Sequence, residues 1–412
     1  MKNVVKRFLK YVTIDTQGNS DVKSCPSNEN ERFLAEFLQD ELKEMGITES
    51  DIDQKSFLYA KLKANTQKNV PPIAFFTHLD TFPDLPGHNV HARIISDYNG
   101  EEIILNKGLD IRLTPSDYPA LRKYKGENLI VTDGTTVLGA DGKAGIAELM
   151  EAIQHLQNHP EIEHGDVYLV FTPDEELGYS TEYIDISRIP AKYGYTIDGG
   201  GTGEINYENF NAATATITVR GMNIHPGHAK SRMKNSILLA AEFINLLPEH
   251  ETPATTEGYE GYYHFSDIIG GVDQCSMTCN IRAFDKEDYS YRKKRLCEIG
   301  DFLNHYYGTN TFKVNVDDYY FNMREKIDEC PEIIEIVKEA MAQSGVIPEI
   351  KPIRGGTDGV TISFMGIPCP NISSGCHNGQ SVKEFISTQS MEKITKTIVN
   401  VIKLTAESID NF

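Results

Sequence analysis

Four short stretches put metal-seeking side chains where a strand ends or a helix begins. Phe75-Phe76-Thr77-His78-Leu79-Asp80-Thr81 closes an apolar run with a histidine and, two residues on, a carboxylate. In an extended segment, residues i and i+2 share a face, so His78 and Asp80 can stand together, one binding a metal while the other orients it. Asp141 follows in Leu138-Gly139-Ala140-Asp141-Gly142-Lys143-Ala144-Gly145, and Glu175 and Glu176 in Phe171-Thr172-Pro173-Asp174-Glu175-Glu176-Leu177-Gly178. Asp198 stands before Gly199-Gly200-Gly201. One imidazole and several carboxylates on one rim suit one or two divalent ions such as Zn²⁺, Mn²⁺ or Co²⁺. Two ions close together need an anionic bridge, and a carboxylate can give one oxygen to each. Adjacent glutamates can divide the work, one binding metal and the other taking a proton from water. A lone Asp or Glu at a strand end is more often a helix cap or a solvated charge. The set of them, in order, is harder to dismiss.

The spacing of apolar residues supplies the elements that must position these groups. A helical stripe over 28–46 (Phe33, Phe37, Leu38, Leu42, Met45) precedes a strand over 72–76, which delivers His78 and Asp80. The segment 83–129 reads as loops with a small antiparallel element. Behind Asp141 runs a helix with the stripe Ile146, Leu149, Met150, Ile153 and Leu156, ending at His159-Pro160. Strands over 167–171 and 194–197 lead into the glutamate pair and Asp198. Strands alternating with helices predict an α/β fold with a mostly parallel sheet, and such sheets place ligands beyond their strands' carboxyl ends. After Glu208 the pattern becomes alternating, as in Ala213, Ala215, Ile217 and Val219. The order there is βαββαβ, a ferredoxin-like lid domain over 209–320 inserted into a catalytic domain of 1–208 and 321–412. Beyond Tyr320 the α/β style returns, with a helix over 331–343, a turn over 354–359, a strand over 369–372 and an amphipathic last helix.

At 412 residues the chain exceeds what one core usually supports, which agrees with two domains. A net charge of −20 argues against nucleic acid or an anionic membrane surface as partner. The first ten residues lack the apolar stretch of a signal peptide, and no run reaches a membrane span. The 7 cysteines are scattered, so a reducing, cytoplasmic setting is expected rather than a disulfide framework. Cys275 and Cys279 are expected to be strand residues and not half of a zinc site.

Together the four motifs resemble those of peptidase T, the tripeptide aminopeptidase branch of the M20 family of co-catalytic zinc peptidases. Gly221-Met222-Asn223-Ile224-His225-Pro226-Gly227-His228-Ala229-Lys230 and Ile353-Arg354-Gly355-Gly356-Thr357-Asp358-Gly359 fit it too. The resemblance covers nearly the whole chain. It implies that His78 and Asp198 are terminal metal ligands, Asp141 the bridge and Glu176 a further terminal ligand. Glu175 would be general base and then acid, with Asp80 fixing the tautomer of His78. His225 of the lid would polarise the scissile carbonyl, in many relatives from a partner subunit. Arg282 and Arg354 are candidates for gripping a peptide carboxylate, or else structural ion-pair residues. The resemblance further implies two Zn²⁺ ions, with Mn²⁺ or Co²⁺ as substitutes, a short peptide substrate and a homodimer formed through the lid.

This chain departs from the pattern at two places. The family's fifth ligand is the histidine of Asn-x-His-x-x-x-Glu-Phe, but this chain reads Asn378-Gly379-Gln380-Ser381-Val382-Lys383-Glu384-Phe385. Three outcomes follow: Gln380 binds weakly, the loop shifts to bring in His377, or the second metal is lost. Gly142 stands where relatives carry Asp or Asn, after a peptide bond that is cis in many of them. The expected activity is removal of the N-terminal residue from short peptides by metal-activated water. The alternatives are a catalytically weakened homologue that binds peptide or metal without turnover, and a hydrolase of N-acyl or N-carbamoyl amino acids.

Overall fold

The computed structural model describes residues 3–178 and 180–408. They form two compact units, one of Met1–Tyr207, Glu325–Lys351 and Thr357–Phe412, the other of Glu208–Arg324 and Pro352–Gly356.

The first unit is built on an eight-stranded sheet. Its order is Ser50–Ile52, Leu58–Leu62, Val167–Thr172, Ile73–His78, Tyr193–Ile197, Asn371–Ile372, Glu204–Asn206 and Glu349–Ile350. The central strands run parallel, with Ile73–His78 between Val167–Thr172 and Tyr193–Ile197. All six residues of Ile73–His78 are buried, as a strand covered on both faces requires. His78 pairs with Thr172, so the carboxyl ends that precede Asp80, Glu175 and Asp198 lie side by side. Helix Ala140–Asn158 buries Ile146, Leu149, Met150, Ile153 and Leu156, while Asp141 and Gly142 at its start have non-helical torsions. Helix Glu29–Glu44 opens with a capping box in which Asn28 and Glu31 bond each other's backbone N–H. Its buried face is Leu34, Ala35, Leu38 and Leu42, whereas Phe33 is 56% exposed. The sequence stripe was therefore one residue out at its start, because both faces of that first turn carry an apolar side chain. The segment 83–129 holds short strands and the antiparallel pair Ile103–Asn106 and Ile111–Leu113.

The second unit is a four-stranded antiparallel sheet in the order Tyr262–Gly270, Gln274–Ala283, Asn211–Arg220, Phe312–Tyr320. Helices Ser236–Asn245 and Lys286–Tyr307 complete the βαββαβ order. Its core joins Ala213, Ala215, Ile217 and Val219 to Phe243, Leu296 and Leu303, with Cys275 and Cys279 as strand residues pointing inward. The segment Pro352–Gly356 groups with this unit, although its place in the sequence suggested the first. Arg354 gives the reason. Its guanidinium donates to the carbonyls of Gly258, Glu260 and Thr256 and to Thr256 Oγ1, and lies over the Phe210 and Tyr262 rings. The expected turn over 354–359 ends in helix Asp358–Phe364, capped by Thr357. Among the described residues no helix is long and apolar enough to cross a membrane.

Candidate metal centre

His78 is 2% exposed and stands among three carboxylates. Its Nδ1 faces Asp80 Oδ1 at 3.3 Å, and its Nε2 lies 3.2 Å from Asp198 Oδ1 and 3.5 Å from Asp141 Oδ1. Asp80 also accepts the backbone N–H groups of Glu175 and Glu176, each at 3.0 Å. One buried carboxylate thus orients the imidazole and fixes both glutamates. With Nδ1–H donating to Asp80, Nε2 is the nitrogen left for a metal.

The other side chains close around this nitrogen. His78, Glu175 and Asp198 form one group with ligand atoms within 4.8 Å of one another, and His78, Asp141 and Glu176 form another. Glu176 Oε2 accepts from Gln380 Nε2 at 2.7 Å, while its Oε1 is buried without a hydrogen-bond partner. Burial, then the Asp198 charge, pushes Asp141 up to about 7. Burial, then the Asp141 charge, pushes Glu176 up to about 9. Glu175 is pushed well above the carboxylate range by burial and then by Asp198, with Asp358 and Glu176 adding to it. Burial disfavours a charged imidazole at His78, but Asp198, Asp141 and Asp80 outweigh it and hold its pKa high. Anions crowded until they resist ionising, with one buried oxygen unpartnered, are what a divalent cation would relieve. The residues present fit a metal.

Two glycines lie close against His78 and Asp141. Gly142 has φ +82, and a Cβ there would lie 2.7 Å from the His78 ring. Aspartate or asparagine would not fit on this backbone. Among the described residues the cis peptide bond is Cys25–Pro26, so Asp141–Gly142 is trans. A Cβ at Gly379 would lie 2.5 Å from Asp141 Oδ2. Asp141, Glu204, His377, Asn378 and Gln380 line a cavity of about 380 Å³ beside the carboxylates, together with Gly199–Gly201.

His377 does not join the cluster. Its Nε2 pairs with Tyr124 Oη at 2.6 Å, its ring stacks on Phe385, and burial drives its pKa down to about 4. His225 and Arg282 belong to the second unit. His225 is exposed, and its Nδ1 accepts from Gly227 N at 3.1 Å, leaving Nε2–H as an outward donor. Arg282 donates to the carbonyls of Ile281 and Ala213 and lies over the Tyr320 ring. Arg354, with Nη1 and Nη2 donating to the loop Thr256–Glu260, braces that loop.

Two residues of the site escaped the sequence reading. Glu384 is 1% exposed, and its carboxylate accepts from Leu138 N (2.7 Å), Gly139 N (2.9 Å) and Asp141 N (2.8 Å), which fixes the loop carrying Asp141. It sat in the motif that exposed Gln380, and that was the available signal. Asp358 accepts from Ser180 Oγ (2.6 Å) and Thr172 Oγ1 (3.2 Å), and burial pushes it up to about 6. Its position after a turn of glycines had suggested only the turn.

Comparison with known proteins bears on the fold and the family. A family model described as the peptidase dimerisation domain matches residues 207–307. The fold is similar to that of aminopeptidase PepT from Bacillus cereus ATCC 10987, with TM-score 0.77, 24% identity and 98% of each chain covered. It is also similar to a dinuclear metal binding peptidase of the M20 family from Bacillus subtilis, with TM-score 0.67 and 14% identity over 99% of this chain and 100% of that one. In sequence the chain is 48% identical over 411 residues to peptidase T of Desulfitobacterium hafniense (strain Y51), covering 100% of both. With that identity sustained end to end, the chain belongs to the peptidase T family.

Proposed function

We propose that this protein is a metallo-aminopeptidase that removes the N-terminal residue from short peptides, tripeptides above all. The observation that carries the reading is the joint placement of Asp80, His78 and the glutamate pair: one buried carboxylate aims both a ligand nitrogen and a base. Asp141, Glu176, His78 and Asp198 would hold divalent ions, Zn²⁺ first, with Mn²⁺ or Co²⁺ as substitutes. A cation bound there supplies positive charge that polarises a peptide carbonyl and acidifies water. Glu175, whose carboxylate stands beside His78 and Asp198, accepts the proton of the attacking water and returns it to the departing amine. Asp80 keeps Nδ1 of His78 engaged and the two glutamates in place. His225 presents Nε2–H as the donor for the oxyanion, and Arg282 is the candidate for the peptide carboxylate. The second unit is assigned to homodimerisation, and the working compartment to the cytoplasm.

The bond between Gln380 and Glu176 favours a second reading, a weakened homologue that binds peptide without turnover. One assay separates the two. Purified protein supplied with Zn²⁺, Mn²⁺ or Co²⁺ should release the N-terminal residue of a tripeptide and spare its N-acetylated form, and Glu175→Gln should abolish this. Absence of turnover with every metal would establish the weakened reading. Equal cleavage of the acetylated peptide would exclude an aminopeptidase.

A further inference from the structure

We propose that the two metal positions of this chain are unequal in kind. Asp141, Glu176 and the Gln380 carboxamide form an all-oxygen position that takes Mn²⁺ weakly and reversibly, while His78 and Asp198 retain one Zn²⁺. The inference rests on the metallopeptidase reading above and concerns residues peculiar to this sequence.

The supply of imidazole nitrogens limits what the site can hold. Each cluster of potential ligands found among the described residues contains the same histidine, His78. That imidazole has one nitrogen to give, because Nδ1 is held by Asp80. His377, the other imidazole nearby, is tied to Tyr124 and stacked on Phe385. A nitrogen ligand can therefore serve one ion, and the other must be bound by oxygen.

The loop that places Gln380 is held by its own backbone and by Asn378. Asn378 (φ 56) and Gln380 (φ 58) both take left-handed backbone conformations. Asn378 Nδ2 donates to Lys383 O at 2.9 Å and ties the loop to itself. Gly379 lies against Asp141, and Gln380 reaches Glu176 at 2.7 Å. The buried, unpartnered Oε1 of Glu176 adds an oxygen with no protein donor to satisfy it. To accept a cation, the Gln380 carboxamide presents Oε1 in place of its NH₂, a half-turn about one bond. Carboxylate and carboxamide oxygens suit Mn²⁺ or Mg²⁺, whereas Zn²⁺ gains most from imidazole. A neutral carboxamide also binds any divalent ion less tightly.

The test counts metals independently of catalysis. The full chain is loaded with Zn²⁺, with Mn²⁺ or with both; Mn²⁺ binding is titrated by electron paramagnetic resonance before desalting, and retained metal is measured by mass spectrometry after it. The wild-type chain should keep one Zn²⁺ and bind one Mn²⁺ that is lost on desalting. Gln380→His should raise retained Zn²⁺ to two. Gln380→Leu should keep one Zn²⁺ and weaken Mn²⁺ by at least the roughly 10–100-fold that loss of an outer partner costs a metal site. Thermal melting checks that each variant folds. Two tightly held Zn²⁺ in the wild type, or Mn²⁺ binding unchanged in Gln380→Leu, would overturn the proposal. Peptide cleavage is scored separately, so unequal metals without turnover would refute the functional reading and leave this inference standing.

Discussion

Glu384 is the residue through which the C-terminal segment controls Asp141, and Glu384→Gln measures that control. The wild-type carboxylate accepts three backbone N–H groups, from Leu138 and Gly139 on Oε2 and from Asp141 on Oε1. Glutamine can keep its oxygen where two of the bonds meet, but its NH₂ then faces the Asp141 N–H. Hydrogen bonds to a charged group contribute about 1.5–3 kcal/mol against about 0.5–1.5 for neutral ones, so the two survivors lose about 1 kcal/mol each. A buried N–H without an acceptor costs a further 1–3 kcal/mol or so. The sum is about 3–5 kcal/mol. Burial raises the pKa of Glu384 despite these bonds, so removing the charge returns part of the loss and the expected value lies toward the low end of that range. The assay is urea unfolding together with metal content, since displacement of Asp141 should loosen metal held by that carboxylate. Glu384→Asp keeps the charge but is one methylene short, and should lose metal with a smaller loss of stability. A Glu384→Gln protein within about 1 kcal/mol of wild type, with its metal intact, would refute the claim that this carboxylate positions Asp141.

Three further perturbations follow from the structure. Gly142→Ala puts a Cβ 2.7 Å from the His78 ring at φ +82, so about 1–2 kcal/mol of left-handed strain joins a displaced imidazole, and bound metal measured after desalting should fall sharply. Unchanged metal content would show that His78 is not set by this contact. His377→Ala removes the Tyr124 hydrogen bond and the stack on Phe385, so it should cost about 1 kcal/mol or somewhat more in unfolding and leave the metal count alone. A lost ion would place His377 among the ligands. Glu148 is 0% exposed, neither of its carboxylate oxygens has a partner, and burial raises its pKa well above the usual value. A raised folded-state pKa means stability is greatest below the unfolded pKa and falls as pH rises toward the folded one. Glu148→Gln should therefore gain on wild type by about 1.4 kcal/mol per pH unit above roughly pH 4.5 until Glu148 ionises. Denaturant unfolding at pH 5 and pH 6 reads the slope, and a difference independent of pH would contradict it.

The sequence made legible the parts of the site that follow from local pattern. His78 and Asp198 end apolar runs, and a run buried on both faces in an α/β context can only be a central parallel strand, whose carboxyl end is where ligands gather. The βαββαβ unit was readable for the same reason, since alternation at Ala213, Ala215, Ile217 and Val219 follows directly from burying one face of a sheet. Contacts between residues distant in sequence were not readable. Periodicity carries nothing about Glu384 reaching back to Asp141 across 243 residues, or about Arg354 bracing the loop at Thr256–Glu260.

Gln380 lies between these cases. Its identity could be read, and so could its disagreement with the histidine expected there, but its consequence depends on a loop that no pattern specifies. Left-handed conformations at Asn378 and Gln380 turn the carboxamide onto Glu176, and the Tyr124–Phe385 clamp withdraws His377 from competition. Of the three outcomes open in the sequence, this geometry disfavours rescue by His377. It leaves a site with four or more oxygens and one imidazole nitrogen, and that shortage of nitrogen is the basis for expecting two metal positions of different character in one centre.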